Sequence, residues 1–173
     1  MYVADYASPL GNIKLAGDEN GLAGLWFAGQ NNSPQEDDFE PVGVNDVSVI
    51  KNTVRCLDLY FKGENPNFDD LPLCLQGSGF RKCVWKILSE IPYGKTVTYS
   101  DVSSEHSQRY GFGRMSAQAV GNAISHNPIL IIIPCHRVIG KDGTLKGYSA
   151  GIERKKELLN LEADLAKNIF LCF

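Results

Sequence analysis

The chain has 173 residues and is 43% hydrophobic, enough apolar material for one globular domain or two small ones. No uninterrupted apolar run approaches the roughly 18 residues a membrane helix needs. The opening MYVADYASPLGNIK lacks a basic stretch followed by a long apolar one, so neither a membrane span nor a secretory leader is expected.

The formal net charge of −3 argues weakly against a nucleic-acid partner, but it is unevenly spread. Residues 1–75 carry 4 Lys/Arg and 12 Asp/Glu, a balance of −8; residues 76–173 carry 13 and 8, a balance of +5. A phosphate-binding surface would sit in the second half. Ordinary drift between two subdomains accounts for the same numbers.

Residues 1–28 alternate short apolar runs with turn residues. Gly11-Asn12 and Glu19-Asn20-Gly21 separate strand-like stretches such as Ile13–Ala16 and Leu22–Phe27, which predicts an antiparallel meander. Residues 29–45 are polar and read as loop. Asp46 is placed to N-cap a helix through Phe61, where Val47, Ile50, Val54, Leu57 and Phe61 recur at helical spacing and Gly63 follows. Residues 64–78 hold two prolines and few periodic cues. A boundary is expected there, between an N-terminal α/β structural unit (1–75) and a C-terminal unit (76–173).

Ser78 or Gly79 opens the next helix, with Phe80, Val84, Ile87 and Leu88 on one face and Pro92 closing it. Val97-Thr98-Tyr99 is β-prone, Ser100 can cap a short helix over 101–105, and 106–113 read as a glycine-containing loop. A third helix runs from about Ser116 to His126, and Pro128 stops its continuation. Ile129–Ile133 is an unbroken apolar run that suits a buried strand. Residues 140–147 form a turn-rich excursion around Asp142-Gly143, and a last helix spans about Gly151–Lys167. Two short helices followed by a glycine-rich excursion fit a winged helix-turn-helix, although any helical hairpin gives a similar pattern. The expected class is α+β: a small N-terminal antiparallel-sheet domain, then a mainly helical C-terminal domain with a winged helix-turn-helix-like unit.

Cys56, Cys74, Cys83, Cys135 and Cys172 are odd in number and show no CxxC spacing, so reduced thiols are expected rather than a disulfide framework. His106, His126 and His136 form no zinc array with them. No glycine-rich nucleotide loop is present, and neither a cofactor nor a metal is expected. The informative segment is Pro134-Cys135-His136-Arg137-Val138. A cysteine is a strong nucleophile only as thiolate, which needs a base or cation nearby. An isolated Cys-His pair reads more simply as a small buried residue beside a surface histidine, since neighbours on an extended chain point apart.

That pentapeptide resembles the active-site signature of the O6-alkylguanine-DNA alkyltransferases, the methylated-DNA–protein-cysteine methyltransferases. The similarity extends over about residues 78–165: Phe80–Trp85, Ile91–Thr96, Ala117–Ala123, Asn127-Pro128, Gly147–Gly151 and Leu159–Glu162 match further motifs of the family. Residues 1–75 resemble its variable N-terminal domain only loosely.

The resemblance implies DNA repair by irreversible, stoichiometric transfer of the alkyl group from O6-methylguanine, and from O4-methylthymine, to Cys135. His136 would act as base through a water, and Glu162 would orient it. Asn127 would hydrogen-bond backbone near the active-site strand. Tyr99 would donate to guanine N3 as the purine departs. Val138, Tyr148, Ser149 and Ile124 would form the base pocket.

The base must leave the duplex to reach a buried sulfur. DNA contacts are implied for Ser116, Ala117, Gly121, Asn122 and Arg137. Gln118 stands where the family usually places a gap-filling arginine, and glutamine lacks the cationic fork. Arg114, one helical turn earlier, is available for a phosphate or for the gap. The partner implied is double-stranded DNA, met by a monomer in the cytoplasm, or in the nucleus of a eukaryotic source. Taken without the resemblance, Glu162 reads as a solvated helix carboxylate, Tyr99 as a core tyrosine and Gly121 as a helix-packing residue.

Three rival readings remain. A cysteine hydrolase would turn over beyond one equivalent. A non-catalytic reader of alkylated guanine would lack the cysteine. A redox sensor would pair its thiols.

Overall fold

A computed structural model gives the fold and describes residues 1–31, 33–34, 38–111 and 115–170, the side chains of 164–170 excepted. Tyr2–Ser8 (β1), Gly11–Asp18 (β2) and Gly21–Phe27 (β3) form the expected antiparallel meander, with Tyr6 opposite Ile13 and Leu15 opposite Leu25. The segment read as loop contributes one addition: Glu40–Pro41 (β4) pairs in parallel with the outer edge of β1, giving the order β3-β2-β1-β4. Pro41 is tolerated because an edge strand need not donate on both sides.

Helix α1, Ser48–Phe61, lays Ile50, Leu57 and Tyr60 into the core, and contacts β1, β2 and β3. Its start differs from expectation. The N-cap is Val47, with no side-chain cap; the Asp46 carboxylate instead accepts from the Gly43 N–H at 2.7 Å and closes the preceding turn.

The C-terminal half is built on α2 (Gly79–Ser89), α3 (Tyr99–Tyr110) and α4 (Ala117–Ser125), which pack pairwise against one another. Ser78 caps α2 and Ser116 caps α4, each accepting from the backbone N–H three residues on. For α3 the cap is Thr98 rather than Ser100. The Thr98 hydroxyl accepts from the Asp101 N–H while the Asp101 carboxylate accepts from the Thr98 N–H, a reciprocal capping box. The helix then runs through 106–110, expected as part of a loop, and stops at Gly111, whose φ of 68° suits glycine; the rest of that expected loop, 112–113, lies outside the described residues. Trp85 Nε1 donates to the Ala123 carbonyl at 2.9 Å and ties α2 to α4. Helices α3 and α4, consecutive and packed against each other, are the pair expected as a helix-turn-helix-like unit.

Ile129–Ile133 is not a strand. Leu25 and Ile129 form an isolated bridge, Ile133 N–H returns to the Ile129 carbonyl at 3.0 Å, and Ile131 sits at φ 69°. The apolar run reports burial, and burial is met here by coiled turns. Val138–Ile139 (β6) then pairs in parallel with Val97–Thr98 (β5). Helix α5, Ile152–Phe170, is the last described element. A continuous buried cluster runs from Ile13 and Leu15 through Trp85 and Val120 to Leu158, so both halves share one core. No helix among the described residues is long and apolar enough to cross a membrane.

Candidate active site

Cys135 follows the coiled segment and opens a single 3-10 turn, Cys135–Arg137, that leads into β6. Asn127 shapes this segment from inside. Its Nδ2 donates to the Ile133 carbonyl at 2.7 Å and to Cys135 Sγ at 3.1 Å, and its Oδ1 accepts from the Ile129 N–H at 3.0 Å. One amide therefore braces the turn and touches the sulfur.

Cys135 is 3% exposed. Burial pushes its thiol up to about 11, against the lowering effects of Asn127, of the Lys155 charge and of nearby backbone N–H groups. At neutral pH it is a thiol that needs a base. His136 is fully buried, and burial lowers its pKa despite Glu162, so the imidazole is neutral and able to take a proton. Its Nε2 bonds Glu162 Oε1 at 2.7 Å, while Nδ1 has no hydrogen-bond partner among the described residues.

Glu162, far from a solvated carboxylate, is fully buried on α5. Oε1 accepts from His136 Nε2, Tyr60 Oη at 2.8 Å and Arg137 Nη2 at 3.0 Å; Oε2 accepts from Arg137 Nε at 2.9 Å and the Gly94 N–H at 3.1 Å. Burial would raise this carboxyl, but the hydrogen bonds from His136 and Arg137 and the Arg137 charge prevail and bring it to about 2. It is ionised throughout the working range.

Arg137 requires a correction. Expected on the DNA surface, it is 6% exposed, bidentate on Glu162 and bonded to the Ile91 carbonyl, with its guanidinium 5.5 Å from the Tyr93 ring centroid. Its donors are spent inside the protein. The family resemblance implied a DNA contact; only the fold reveals its acid partner 25 residues later.

Of the residues expected to form a base pocket, Val138, Ile124 and Tyr148 are buried. Val138 is buried at the start of β6, the Tyr148 ring stands edge-on to His136 at 6.5 Å, and Ile124 is buried on the inner face of α4. The Tyr148 hydroxyl is buried and without a partner among the described residues. The Ser149 carbonyl accepts from the Asn31 N–H at 3.3 Å. Tyr99 Oη donates to the Lys146 carbonyl at 3.0 Å, and a Cβ at Gly147 (φ +56°) would stand 3.2 Å from that hydroxyl. Glycine there keeps room beside Tyr99.

The sequence reading missed Lys155. Its side chain is fully buried, and Nζ donates to the Val138 carbonyl at 2.6 Å and the Lys146 carbonyl at 2.7 Å. Burial lowers it to about 8, partly opposed by Cys135. Its position in α5 gave only a helical lysine. Replacing Lys155 with Met leaves both carbonyls without this donor. The Lys146 carbonyl keeps Tyr99 Oη as a donor, so the loss falls on the buried Val138 carbonyl. One acceptor left unpaired costs about 1–3 kcal/mol, and denaturant unfolding is expected to show a loss of that order. Unchanged stability would mean other donors take over.

Of the residues expected to contact DNA, four are exposed, unlike this cluster. Ser116, Ala117, Gln118 and Asn122 are exposed on α4, with Arg81 Nη2 3.4 Å from Asn122 Oδ1. A Cβ at Gly121 would meet nothing within 4 Å, so this glycine leaves an open helix face rather than a packing contact. Arg114 lies outside the described residues.

Residues 79–164 match the family model for the 6-O-methylguanine DNA methyltransferase DNA binding domain, and residues 1–75 that for its ribonuclease-like domain. A methylated-DNA–protein-cysteine methyltransferase of Methanosarcina acetivorans is 42% identical over 163 residues, covering 94% of this chain and 98% of the relative.

The chain belongs to this family.

A Mycobacterium tuberculosis relative of the same description is 41% identical, covering 92% of this chain and 90% of its own. Among solved structures, Mycobacterium tuberculosis OGT in complex with DNA aligns at a TM-score of 0.82 and 38% identity, covering 95% of this chain and 94% of that one. An O6-methylguanine DNA methyltransferase from Methanococcus jannaschii aligns at 0.63 and 28%, covering 92% of each.

Proposed function

We propose that the protein repairs DNA by taking the alkyl group of O6-alkylguanine onto Cys135, once per molecule. The observation that carries this reading is the buried chain from the Cys135 sulfur, held by Asn127, beside a neutral His136 backed by an ionised Glu162. In the step, the sulfur–carbon bond forms as the carbon–O6 bond breaks. The thiol proton passes to His136 through a water at Nδ1. Tyr99 exchanges the Lys146 carbonyl for guanine N3 and offsets the charge on the departing purine. Carbonyls of Cys135 and Val138 accept from the exocyclic amine, and the Ser149 amide faces O6. A thioether is a poor leaving group, so no turnover follows. O4-methylthymine presents the same alkyl–oxygen bond and is a second substrate under this reading.

The division at residues 75 and 76 separates a bracing unit from the unit that meets DNA as a monomer. The cytoplasm is the compartment this chemistry implies for a repair protein with bacterial and archaeal relatives.

A sulfur with 3% exposure cannot reach a stacked base, so the target nucleotide is everted. Ser116, Ala117, Gly121 and Asn122 bring the α4 backbone to the groove, and Gln118 enters the gap. Arg114 serves a phosphate. Incubation with duplex DNA holding O6-methylguanine should add one methyl mass to the Cys135 peptide; an unmodified peptide overturns the reading. Gln118→Ala should slow repair of the duplex while sparing reaction with free O6-benzylguanine, the hydrogen bonding lost being worth about 0.5–1.5 kcal/mol, or roughly 2- to 12-fold. Equal slowing of both would remove the gap-filling role.

A further inference from the structure

We infer, resting on the roles proposed above for Cys135, His136 and Glu162, that Tyr60 of the N-terminal half is a positioning residue of alkyl transfer, whose hydroxyl holds Glu162 and limits its pull on His136. Tyr60 lies in α1, 102 residues before Glu162, and its Oη donates to Glu162 Oε1 at 2.8 Å. That oxygen also accepts from His136 Nε2 at 2.7 Å and Arg137 Nη2 at 3.0 Å. A carboxylate oxygen offers two lone pairs, so three donors share it.

The phenol cannot swing aside. It is fully buried, edge-on to Phe61 at 5.4 Å and to Tyr93 at 5.9 Å, and tilted against Phe68 at 6.3 Å. A phenylalanine would fill the same space without burying a polar group, so the hydroxyl brings a desolvation cost that its bond to Glu162 offsets. Sequence periodicity could only assign this residue to the apolar face of α1.

Each donor on Oε1 draws charge away from the His136 contact. Loss of the Tyr60 hydroxyl leaves a carboxylate that binds the imidazolium more tightly, so His136 protonates at higher pH. The other groups acting on His136 are Glu162 and Lys155 of α5 and Arg137 of its own turn, with the Tyr148 ring packed on it and Cys135 preceding it. Tyr93, between α2 and β5, faces Glu162 and Arg137. Among these groups, Tyr60 is the one supplied by the N-terminal half.

Single-turnover transfer from duplex DNA holding O6-methylguanine is followed against pH with the full chain, Tyr60→Phe and Ile50→Val. Ile50 is buried in the same helix, so its one-carbon truncation controls for loosened packing. Tyr60→Phe is expected to accept one methyl on Cys135 with the acid limb of the rate displaced upward by about half a pH unit; Ile50→Val keeps the wild-type limb. Site-specific 3-fluorotyrosine at position 60 retains the ring and is a stronger donor. It should displace the limb downward, and it supplies the test if the Phe variant does not fold. An unmoved limb in the Tyr60 variants, or an equal movement in Ile50→Val, overturns the inference. Absence of methyl on wild-type Cys135 overturns the underlying reading instead, so the two failures are told apart.

Discussion

Cys135→Ala is expected to abolish methyl transfer completely while leaving affinity for DNA holding O6-methylguanine near that of the intact protein. The two properties separate because the structure separates them. The sulfur lies inside, between Asn127 and the 3-10 turn, while Ser116, Gln118 and Asn122 are exposed on α4. Alanine removes the sulfur that forms the new bond; among the described cysteines Cys135 is the buried one, while Cys56, Cys74 and Cys83 are part-exposed. The structural effect is small, because Asn127 keeps its bonds to Ile133 and Ile129. Mass spectrometry of the tryptic peptide and a mobility-shift titration read the two properties independently. Equal loss of both would mean that the cysteine sits in the DNA contact itself. Transfer retained by the variant would place the acceptor elsewhere.

The second large effect is on stability. Glu162→Ala leaves Arg137 buried without its acid and removes the acceptor of Tyr60, Gly94 and His136. Breaking a buried pair by removing one partner costs about 3–5 kcal/mol, which for a chain of this length lowers Tm by on the order of 10 °C. A pH signature accompanies the loss. Glu162 titrates at about 2 in the folded protein against an ordinary 4.5. A depressed carboxyl contributes its stability in full above the ordinary value and loses it as pH falls from about 4.5 toward 2, a contribution on the order of 3 kcal/mol. The variant should therefore unfold at lower temperature at pH 7 and show a flatter acid limb than the intact chain. A small Tm change with an unaltered acid limb would show that water replaces the carboxylate at little cost. Transfer should also fall steeply, since His136 loses the group that fixes its ring.

Much of the architecture was legible locally. The period-3.6 apolar positions placed α1 and α2, Pro128 marked the end of α4, and the hydroxyls of Ser78 and Ser116 marked two helix starts. Short alternating runs gave the meander, and the Pro134–Val138 signature with its distant partners pointed to the site. The failures share a cause: sequence reports composition, while partners are chosen in three dimensions. Ile129–Ile133 carried the pattern of a buried strand, yet one bridge to Leu25 and the Asn127 amide turned it into a coil. Ser100 was the expected cap of α3, yet Asp101 closes its capping box with Thr98.

What the sequence by itself determined is the chemistry available: a cysteine, a histidine and a carboxylate in a family pattern, on elements whose periods and caps are local. Only the tertiary structure decided what each group does with its charge. It turned Arg137 inward, buried Lys155 against two carbonyls, and brought Tyr60 across 102 residues to Glu162. The physical reason is that a buried charge must find partners wherever the fold puts them. No local pattern encodes a partner that distant.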